Sequence, residues 1–436
     1  MVEREHSIYF DPGKCIACVA CAQACPTRAV RVREGLARLK PELCIDCGAC
    51  IDACRYDAAR ARTSTPADLR RFKYTVAIPS MTLYAQFGRE VMPEQILHAL
   101  THVGFDAFYD MSWMVEMVAG ATDAWISECR GPWPRISVTC PAIVRLIQIR
   151  YPDLLDHLVP IETPRELAAK LLRRKLATEL RLGPEEIGIF FITQCTAIMN
   201  SILAPVGLDQ SYLDGAFGIN ELYGPVLKAL THGDPAEREL GALAASESVS
   251  RAGLMWAMSG GEIAGMRNAN TMTVSGVREV MEAFDRIESG KYRNVDFIEA
   301  YVCPGGCVSG CLAIEERYIA QRTVQRIGRR LRGQVSVKEE KIRALLREHF
   351  FAMEDEIKAR PVQAIPRDLR QAIAWKRERS VLLDRLPRKD CGACGAPDCE
   401  THAEDCLRGE SSEDGCVFVR IANLEKTLAE SRGNER

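Results

Sequence analysis

The chain has 436 residues, enough for two or three domains with a sizeable hydrophobic core. Its 57 Lys and Arg residues nearly balance its 59 Asp and Glu residues, so the net charge of −2 indicates neither a nucleic-acid nor an anionic-membrane partner. No apolar run reaches the roughly 18 residues that would span a bilayer, and the charged start is unlike a secretory signal. We therefore expect a cytoplasmic protein with no membrane span.

Cysteine is the most informative residue type, because sixteen of the nineteen cysteines fall into four tetrads. Such tight CxxC grouping favours reduced thiolates on metal over disulfides. The first two tetrads have the spacing of two-cluster bacterial ferredoxins, in which three cysteines of each run and the last of the other hold one cubane. This resemblance implies one 4Fe-4S cluster on Cys15, Cys18, Cys21 and Cys54, and another on Cys44, Cys47, Cys50 and Cys25. Zinc remains the alternative metal for paired CxxC motifs.

Residues 1–62 are therefore predicted to form an α+β ferredoxin-like domain, followed by a linker at 63–66. From 67 to 365, short apolar runs alternate with helical periodicity. We predict strands at 74–78, 135–139, 187–193 and 295–302, and helices at 93–103, 142–150 and 164–182. This alternation predicts an α/β domain of parallel sheets with helices. Three of these strands lead directly into Cys140, Cys195 and Cys303, so we expect these cysteines to meet in one cleft.

The residues around these cysteines form three motifs: SVTCPA at 137–142, TQCTA at 193–197 and VCPGGC at 302–307. Together they resemble the motifs that hold the H-cluster of FeFe hydrogenases, a 4Fe-4S cubane joined through cysteine to a diiron centre carrying carbonyl, cyanide and a dithiolate bridge. The resemblance implies that Cys140, Cys195 and Cys303 hold the cubane and that Cys307 bridges it to the diiron centre. It extends to AIPS at 77–80 and MSGGE at 258–262. It implies a diiron pocket containing Pro79, Ser80, Ile198, Met199, Trp256 and Ser259.

Several residues depart from this family pattern. Thr139 stands where efficient hydrogenases have a proton-relay cysteine, and a hydroxyl is not readily deprotonated near neutral pH. Glu116 matches the first relay glutamate, whereas Ala119 and Val159 replace the second glutamate and the serine. Ile198 replaces a lysine that bonds cyanide. These differences imply low turnover.

A fourth tetrad, Cys391, Cys394, Cys399 and Cys416, resembles the small 4Fe-4S domain that follows the catalytic domain of sensory-type FeFe hydrogenases. We assign this domain to 383–416, with zinc again as the alternative metal. Cys406 is interpreted as a packing residue. Cys129 and Cys311 are unassigned; Cys311 is either a buried thiol or an unusual ligand or proton carrier.

The short helical tail at 417–436 carries an apolar seam at coiled-coil spacing, made of Val417, Ile421, Leu424 and Leu428. Two heptads are too short to be stable alone. The seam either contacts a partner, which includes a second copy of the chain, or folds back on its own domain.

These features predict a sensory or regulatory FeFe-hydrogenase-like protein of low turnover. It would bind H2 at a diiron H-cluster and pass electrons through four 4Fe-4S clusters to a ferredoxin, a flavoprotein or a regulator. Two alternatives stay open. One is an iron-sulfur electron-transfer subunit that lacks the diiron centre, and the other is a slow hydrogenase subunit of a larger redox complex.

Overall fold

The computed structural model describes residues 6–232, 249–267, 269–331, 337–360, 362 and 368–434. Within these ranges, the strands are β1 (Ile8–Phe10), β2 (Val30–Arg33), β3 (Leu36–Leu39), β4 (Ala59–Ala61), β5 (Tyr74–Pro79), β6 (Ala107–Phe108), β7 (Arg135–Ile136), β8 (Ile187–Thr193), β9 (Gly215–Gly218), β10 (Thr271–Ser275) and β11 (Phe297–Tyr301). The helices are α1 (Ala20–Ala24), α2 (Ala49–Asp52), α3 (Pro66–Leu69), α4 (Pro93–Thr101), α5 (Ser112–Glu128), α6 (Pro141–Arg150), α7 (Pro164–Leu180), α8 (Thr196–Leu203), α9 (Ile219–His232), α10 (Arg251–Met255), α11 (Val277–Glu288), α12 (Arg317–Arg330), α13 (Glu339–Arg347), α14 (Leu369–Arg385), α15 (Cys399–Leu407) and α16 (Val417–Asn434). None of these described helices combines the length and the apolar character needed to cross a bilayer.

The described residues form two compact units. The first is drawn from Met1–Ser7, Ile45–Gly48 and Arg62–Arg360, and the second from Ile8–Cys44, Ala49–Ala61 and Pro361–Arg436. The second unit thus combines segments from the two ends of the chain.

A four-stranded parallel sheet in the order β6-β5-β8-β9 organises the first unit. β5 pairs with β8 from Tyr74 opposite Ile187 to Pro79 opposite Ile192. All seven residues of β8 are buried, as expected for a central strand that is covered on both faces. The prediction of parallel sheets with helices is confirmed.

A second parallel sheet in this unit has the order β10-β11-β7. The strand predicted at 135–139 is shorter than expected, because β7 ends at Ile136. Beyond that point the Ser137 hydroxyl accepts a bond of 3.2 Å from the Thr139 backbone N–H, and Cys140 caps the start of α6. Thr139 and Cys140 therefore lie between the end of β7 and the start of α6.

The second unit contains two small antiparallel pairs, β1 with β4 and β2 with β3. Ile8, Val30 and Val32 pack with Cys21 and Cys50 in its core. α14 and α15 belong to the same unit, where Leu386, Ala403 and Cys416 form a smaller apolar cluster. The carboxylate of Asp405 on α15 pairs with the Arg31 guanidinium on β2 at 2.7 Å, which fixes α15 against the hairpin.

Candidate metal centres

A cavity lies at the carboxyl ends of the paired strands β5 and β8. It holds about 500 Å³ of atom-free space, part of it open to solvent. Ser80 follows β5 directly and Gln194 follows β8, so the parallel register brings both residues to the same edge of the sheet. The lining residues are Ser80, Met81, Thr82, Met111, Val115, Thr139, Pro164, Arg165, Phe191, Gln194, Ile198, Trp256, Ala257 and Cys307.

The four predicted H-cluster cysteines come together beside this cavity. Burial raises the pKa of the Cys195 and Cys303 thiols well above the ordinary range, and the charges of neighbouring cysteines, Cys140 and Cys307 among them, raise it further. Burial is also the main cause that raises the pKa of Cys307 to about 12. Mutual charge effects of this kind require thiols that lie close together. Four neighbouring buried thiols do not easily ionise together. Bound iron ions would stabilise their thiolate forms, so the arrangement fits an iron-sulfur cluster.

The loop between Cys303 and Cys307 needs glycine. Gly306 has φ of 96°, and a Cβ atom added there would lie 2.3 Å from the backbone nitrogen of Ser259. Gly305 also has a positive φ, of 81°. The loop therefore turns back on itself so that two cysteines four residues apart border the same site.

Several buried polar atoms in the cavity wall have no hydrogen-bond partner among the described protein atoms. They are Ser80 Oγ, Thr82 Oγ1, Arg165 Nε and Gln194 Oε1. The Arg165 guanidinium donates one bond through Nη2 to Ser201 Oγ at 3.3 Å, and its charge lowers the pKa of Cys140 and Cys307 against the stronger effect of burial. An unsatisfied buried polar group costs about 1–3 kcal/mol, so these atoms fit a bound group with polar ligands.

Only some of the other predicted site residues line the cavity. Thr139, Ser80, Ile198 and Trp256 line the cavity. The remaining predicted residues, Pro79, Met199, Ser259 and Glu116, are not among its lining residues. Arg165 and Gln194 were missed, because nothing in their local sequence distinguishes them from other polar residues near a strand end or a helix start. The roles of all these residues stay predictions.

The first ferredoxin-type tetrad is assembled within the second unit. Cys15, Cys18, Cys21 and Cys54 line one small pocket together with Phe10 and Val19. Burial, and then the charges of Cys18, Cys15 and Cys54, raise the pKa of Cys21 to about 11. The crossed set of ligands predicted from the spacing is thus brought together.

Backbone N–H groups point at the last cysteine of each run. The Ala29 N–H donates to Cys25 Sγ at 3.2 Å, and the Ala58 N–H donates to Cys54 Sγ at 3.3 Å. Hydrogen bonds to sulfur tune cluster potentials. For the second tetrad, Cys25, Cys44 and Cys50 lie in the second unit and Cys47 in the first, and its ligand set stays a prediction.

The C-terminal tetrad also forms a pocket. Cys391, Cys394, Cys399 and Cys416 line it together with Gly392, Asp398 and His402. Cys406 is not among the lining residues, and its Sγ lies 3.8 Å from His402 Nε2. The interpretation of Cys406 as a packing residue stays a prediction.

The terminal pocket adjoins the first ferredoxin-type pocket inside the second unit. A Cβ atom added to Gly392 would lie 3.1 Å from Val19 Cγ2, so the Val19 side chain separates the two pockets. The Val32 N–H donates to the Gly395 carbonyl at 2.8 Å, which joins β2 to the loop that carries the terminal cysteines. The two pockets therefore adjoin where Gly392 packs against Val19 and Gln23.

The two unassigned cysteines differ in their surroundings. The Cys129 thiol donates to the Ile126 carbonyl at 3.5 Å at the end of α5. Cys311 lies near the H-cluster cysteines, since its charge raises the pKa of Cys195 and Cys303, and its Sγ is 3.6 Å from Thr196 Oγ1. Cys311 therefore borders the predicted cubane site and Cys129 does not line its cavity.

Comparison with protein families gives three matches. Residues 73–207 and 224–311 match the C-terminal domain of the iron-only hydrogenase large subunit. Residues 7–55 match a 4Fe-4S dicluster domain, and residues 386–418 match a family described as an Fe-S cluster.

Individual relatives agree with these matches. Iron hydrogenase 1 of Clostridium pasteurianum is 25% identical over 265 residues, covering 51% of this chain, and the chain spans only 46% of that relative. The periplasmic [Fe] hydrogenase large subunit of Nitratidesulfovibrio vulgaris is 24% identical over 372 residues, 71% of this chain and 86% of the relative. A solved variant of [FeFe]-hydrogenase HydA1 from Chlamydomonas reinhardtii aligns with a TM-score of 0.52 at 14% identity, over 68% of this chain and 98% of that chain. This last likeness shows the fold alone.

Proposed function

The chain belongs to the iron-only hydrogenase family, and from this premise we propose that it is a sensory or regulatory member that binds H2 at a diiron H-cluster with low turnover. The cubane would be held by Cys140, Cys195 and Cys303, with Cys307 as the bridge. When bound, the diiron centre supplies the heterolytic cleavage of H2. Electrons would leave one at a time through the 4Fe-4S clusters to a ferredoxin, a flavoprotein or a regulator in the cytoplasm.

The observation that carries the proposal is the set of unpartnered polar atoms beside Cys307. Hydroxyls at Ser80 and Thr82 and the Arg165 guanidinium can donate hydrogen bonds, and the carbonyl and cyanide ligands of a diiron centre can accept them. A pocket shaped only for packing would leave these atoms unsatisfied at a cost of about 1–3 kcal/mol each. The donor set therefore supports a filled pocket.

Low turnover follows from the residues that replace the predicted proton relay. Ala119 and Val159 are 4% and 2% exposed and carry no group that exchanges protons. Glu116 is half-buried, and burial raises its pKa, but it lacks relay partners at those two positions. Slow proton delivery suits a protein that reports on H2 more than one that consumes it.

The signal requires a partner surface, and α16 offers one. Its seam residues Ile421, Leu424 and Leu428 are 48%, 57% and 58% exposed. We propose that this face pairs with a second copy of the chain or with a signalling protein.

An electron-transfer subunit without the diiron centre is the second candidate. Ile198 favours it, because this apolar side chain in the cavity wall donates no hydrogen bond to a cyanide. A slow hydrogenase subunit of a larger complex would use the same site and differ in its partner.

Infrared spectroscopy of protein matured with the diiron assembly machinery tests the proposal. We expect carbonyl and cyanide bands, with about 18 irons per chain against about 16 for four cubanes alone. Cys129→Ser is the matched control, and its bands should equal those of wild type because Cys129 does not line the cavity. Wild-type protein that holds its cubanes but shows no such bands would favour the electron-transfer subunit.

A further inference from the structure

Helix α12 presents an exposed face on the surface of the first unit. Its buried side consists of Ala320, Thr323, Val324, Ile327 and Gly328. On the opposite side, spacings of four, three and four residues align the exposed side chains of Tyr318, Arg322, Gln325 and Arg329 in one stripe. Tyr318 is 63% exposed, and Ile319 beside it is 53% exposed. We call this stripe, together with Ile319, the α12 face.

The α12 face is positively charged. The helix contains five Arg residues and no Asp or Glu, although the whole chain has a net charge of −2. Arg326 and Arg330 lie 2.6 Å and 3.5 Å from carboxylate oxygens of Glu90. Among the described residues, no carboxylate forms an ion pair with Arg322 or Arg329. The charges of these two exposed side chains are therefore available to an anionic surface.

The same helix contacts the loop that carries two of the predicted cubane cysteines. The Gln321 side-chain amide donates to the Gly305 carbonyl at 3.2 Å, and Gly305 lies between Cys303 and Cys307. Gln321 is at the edge of the α12 face. Pro304 follows Cys303 directly and is exposed. The cubane loop therefore reaches the surface beside α12.

The composition of the α12 face is typical of a protein-binding surface. Tyr and Arg are enriched at interfaces and among the residues that contribute most to binding, whereas Lys and Glu are depleted there. The Arg317 guanidinium lies 4.5 Å from the centre of the Tyr318 ring and donates to the Tyr318 hydroxyl at 2.6 Å. This contact holds the ring in place, so less conformational freedom is lost when a partner covers it. The unpaired arginines favour an acidic partner, because opposite charges raise association rates by about 10- to 1000-fold.

We propose that the α12 face docks an acidic one-electron carrier protein, which exchanges electrons directly with the cubane held by Cys140, Cys195, Cys303 and Cys307. This inference rests on the cubane of the proposed function and not on its diiron centre. One electron passes between the reduced and the oxidised partner, and no covalent bond forms or breaks. Electron-transfer encounters bury less than about 1,200 Å² in total, so a helix about 20 Å long can provide the contact. All residues of this exit belong to the first unit, so the electron does not pass through the clusters of the second unit.

The first measurement locates the docking site on protein that carries its cubanes but has not been matured with the diiron centre. The probe is an acidic plant-type 2Fe-2S ferredoxin at low ionic strength, and hydrogen exchange is read by mass spectrometry. With the ferredoxin at about 100 times its Kd, amides within residues 304–322 should exchange up to about 100-fold more slowly. Protection confined to the second unit would overturn the proposal. Protection of 304–322 that grows with the concentration of the chain alone would also overturn it, because a second copy would then cover the face.

The second measurement follows the oxidation of reduced cubanes by the same ferredoxin in a stopped-flow experiment. In Arg322→Glu with Arg329→Glu, the second-order rate constant should fall by about 10- to 1000-fold at low salt. This difference from wild type should vanish near 1 M salt, where the Debye length is about 3 Å. Arg174→Glu with Arg293→Glu is the matched control, because both residues are exposed arginines of the first unit outside α12. Equal rate constants in the two double variants would overturn the docking site.

Two checks separate docking from folding and from the proposed function. Iron content should equal that of wild type in every variant, and Arg322→Gln with Arg329→Gln should show a smaller fall in rate constant than the charge reversal. A rate constant in this neutral variant equal to that of wild type would contradict the electrostatic contact. Neither measurement uses H2. Absence of carbonyl and cyanide bands after maturation would therefore overturn the proposed H2 site and leave the docking result standing, and the reverse also holds.

Discussion

Replacement of Asp405 tests how the C-terminal domain is held within the second unit. Asp405 is 0% exposed and accepts hydrogen bonds from Arg31 Nε at 2.7 Å and Arg31 Nη2 at 3.0 Å. Arg33 Nη2 donates to it at 2.8 Å, and Lys40 Nζ lies 3.5 Å away. Asp405→Asn keeps the shape of the side chain but removes the charge and one acceptor oxygen.

The expected loss of stability comes from the basic side chains that lose their carboxylate partner. Arg31 is also buried, at 4% exposure, so Asp405→Asn breaks a buried ion pair from one side. Such a change costs about 3–5 kcal/mol, because the remaining charge is desolvated without its partner. The exposed pair between Arg28 and Glu400, with both side chains 43% exposed, should contribute less than about 1 kcal/mol. Glu400→Gln is therefore the matched control.

Hydrogen exchange read by mass spectrometry can localise the effect. Amides of Val30–Arg33 and Cys399–Leu407 should exchange about 100- to several-thousand-fold faster in Asp405→Asn, since each 1.4 kcal/mol is tenfold. Amides of Ile187–Thr193 in the first unit serve as the internal reference. An acceleration in Asp405→Asn no larger than that in Glu400→Gln would refute the reasoning.

The pH dependence of this contact has a definite sign. Burial tends to raise the pKa of Asp405, but the hydrogen bonds and charges of Arg31, Lys40 and Arg33 outweigh it and lower the pKa. The carboxylate therefore stabilises the unit fully above the unfolded pKa of about 3.9, and this contribution is lost as pH falls through the lower folded value.

Three further outcomes are expected. Gly306→Ala should lower the iron content of protein without the diiron centre by about four atoms per chain, because the added Cβ meets backbone. Gly224→Ala, with nothing within 4 Å of its Cβ, should leave the iron content unchanged, and equal iron in both variants would contradict the close approach. Cys416→Ser should remove the paramagnetic signal of one cubane and Cys406→Ser none; loss of zinc with every signal intact would contradict an iron-sulfur site. Because burial raises the pKa of Glu262, the native state binds more protons than the unfolded state, so the free energy of unfolding should fall as pH rises from about 4.3 to about 8. In denaturant titrations, Glu262→Gln should make this fall less steep. An unchanged dependence of the unfolding free energy on pH would contradict the raised pKa.

The parts of the fold that could be predicted depend on local patterns. Period and flanking residues indicated β5, β8 and β11. The rule that parallel strands end at one edge of a sheet relates Cys140 to Cys303, whereas Cys195 follows β8 of the other sheet and meets them only through the packing of the two sheets. β7 is shorter than predicted because Ser137 and Thr139 make side-chain and backbone contacts that a continuous strand would prevent.

The parts that could not be predicted depend on contacts between distant segments. Arg165 reaches the cavity only because the start of α7 lies beside α8, and its sequence neighbours contain no sign of this. Glu262 belongs to a motif recognised as part of a pocket wall, but its pairing with Glu299 requires the second sheet to be in place. Asp405 and Arg31 are 374 residues apart, which no local periodicity can connect.

Because the second unit combines segments that are far apart in the sequence, it can be completed only late in synthesis. Ribosomes add roughly 5–20 residues per second, so Asp405, 374 residues after Arg31, is made about 20 to 75 s later. Until then the Arg31 guanidinium has no carboxylate from α15, and the loop that faces Val19 has not been translated. The unit whose cysteines are translated first is therefore completed only after α15 has been made, and insertion of its first cluster into the finished unit must wait until then.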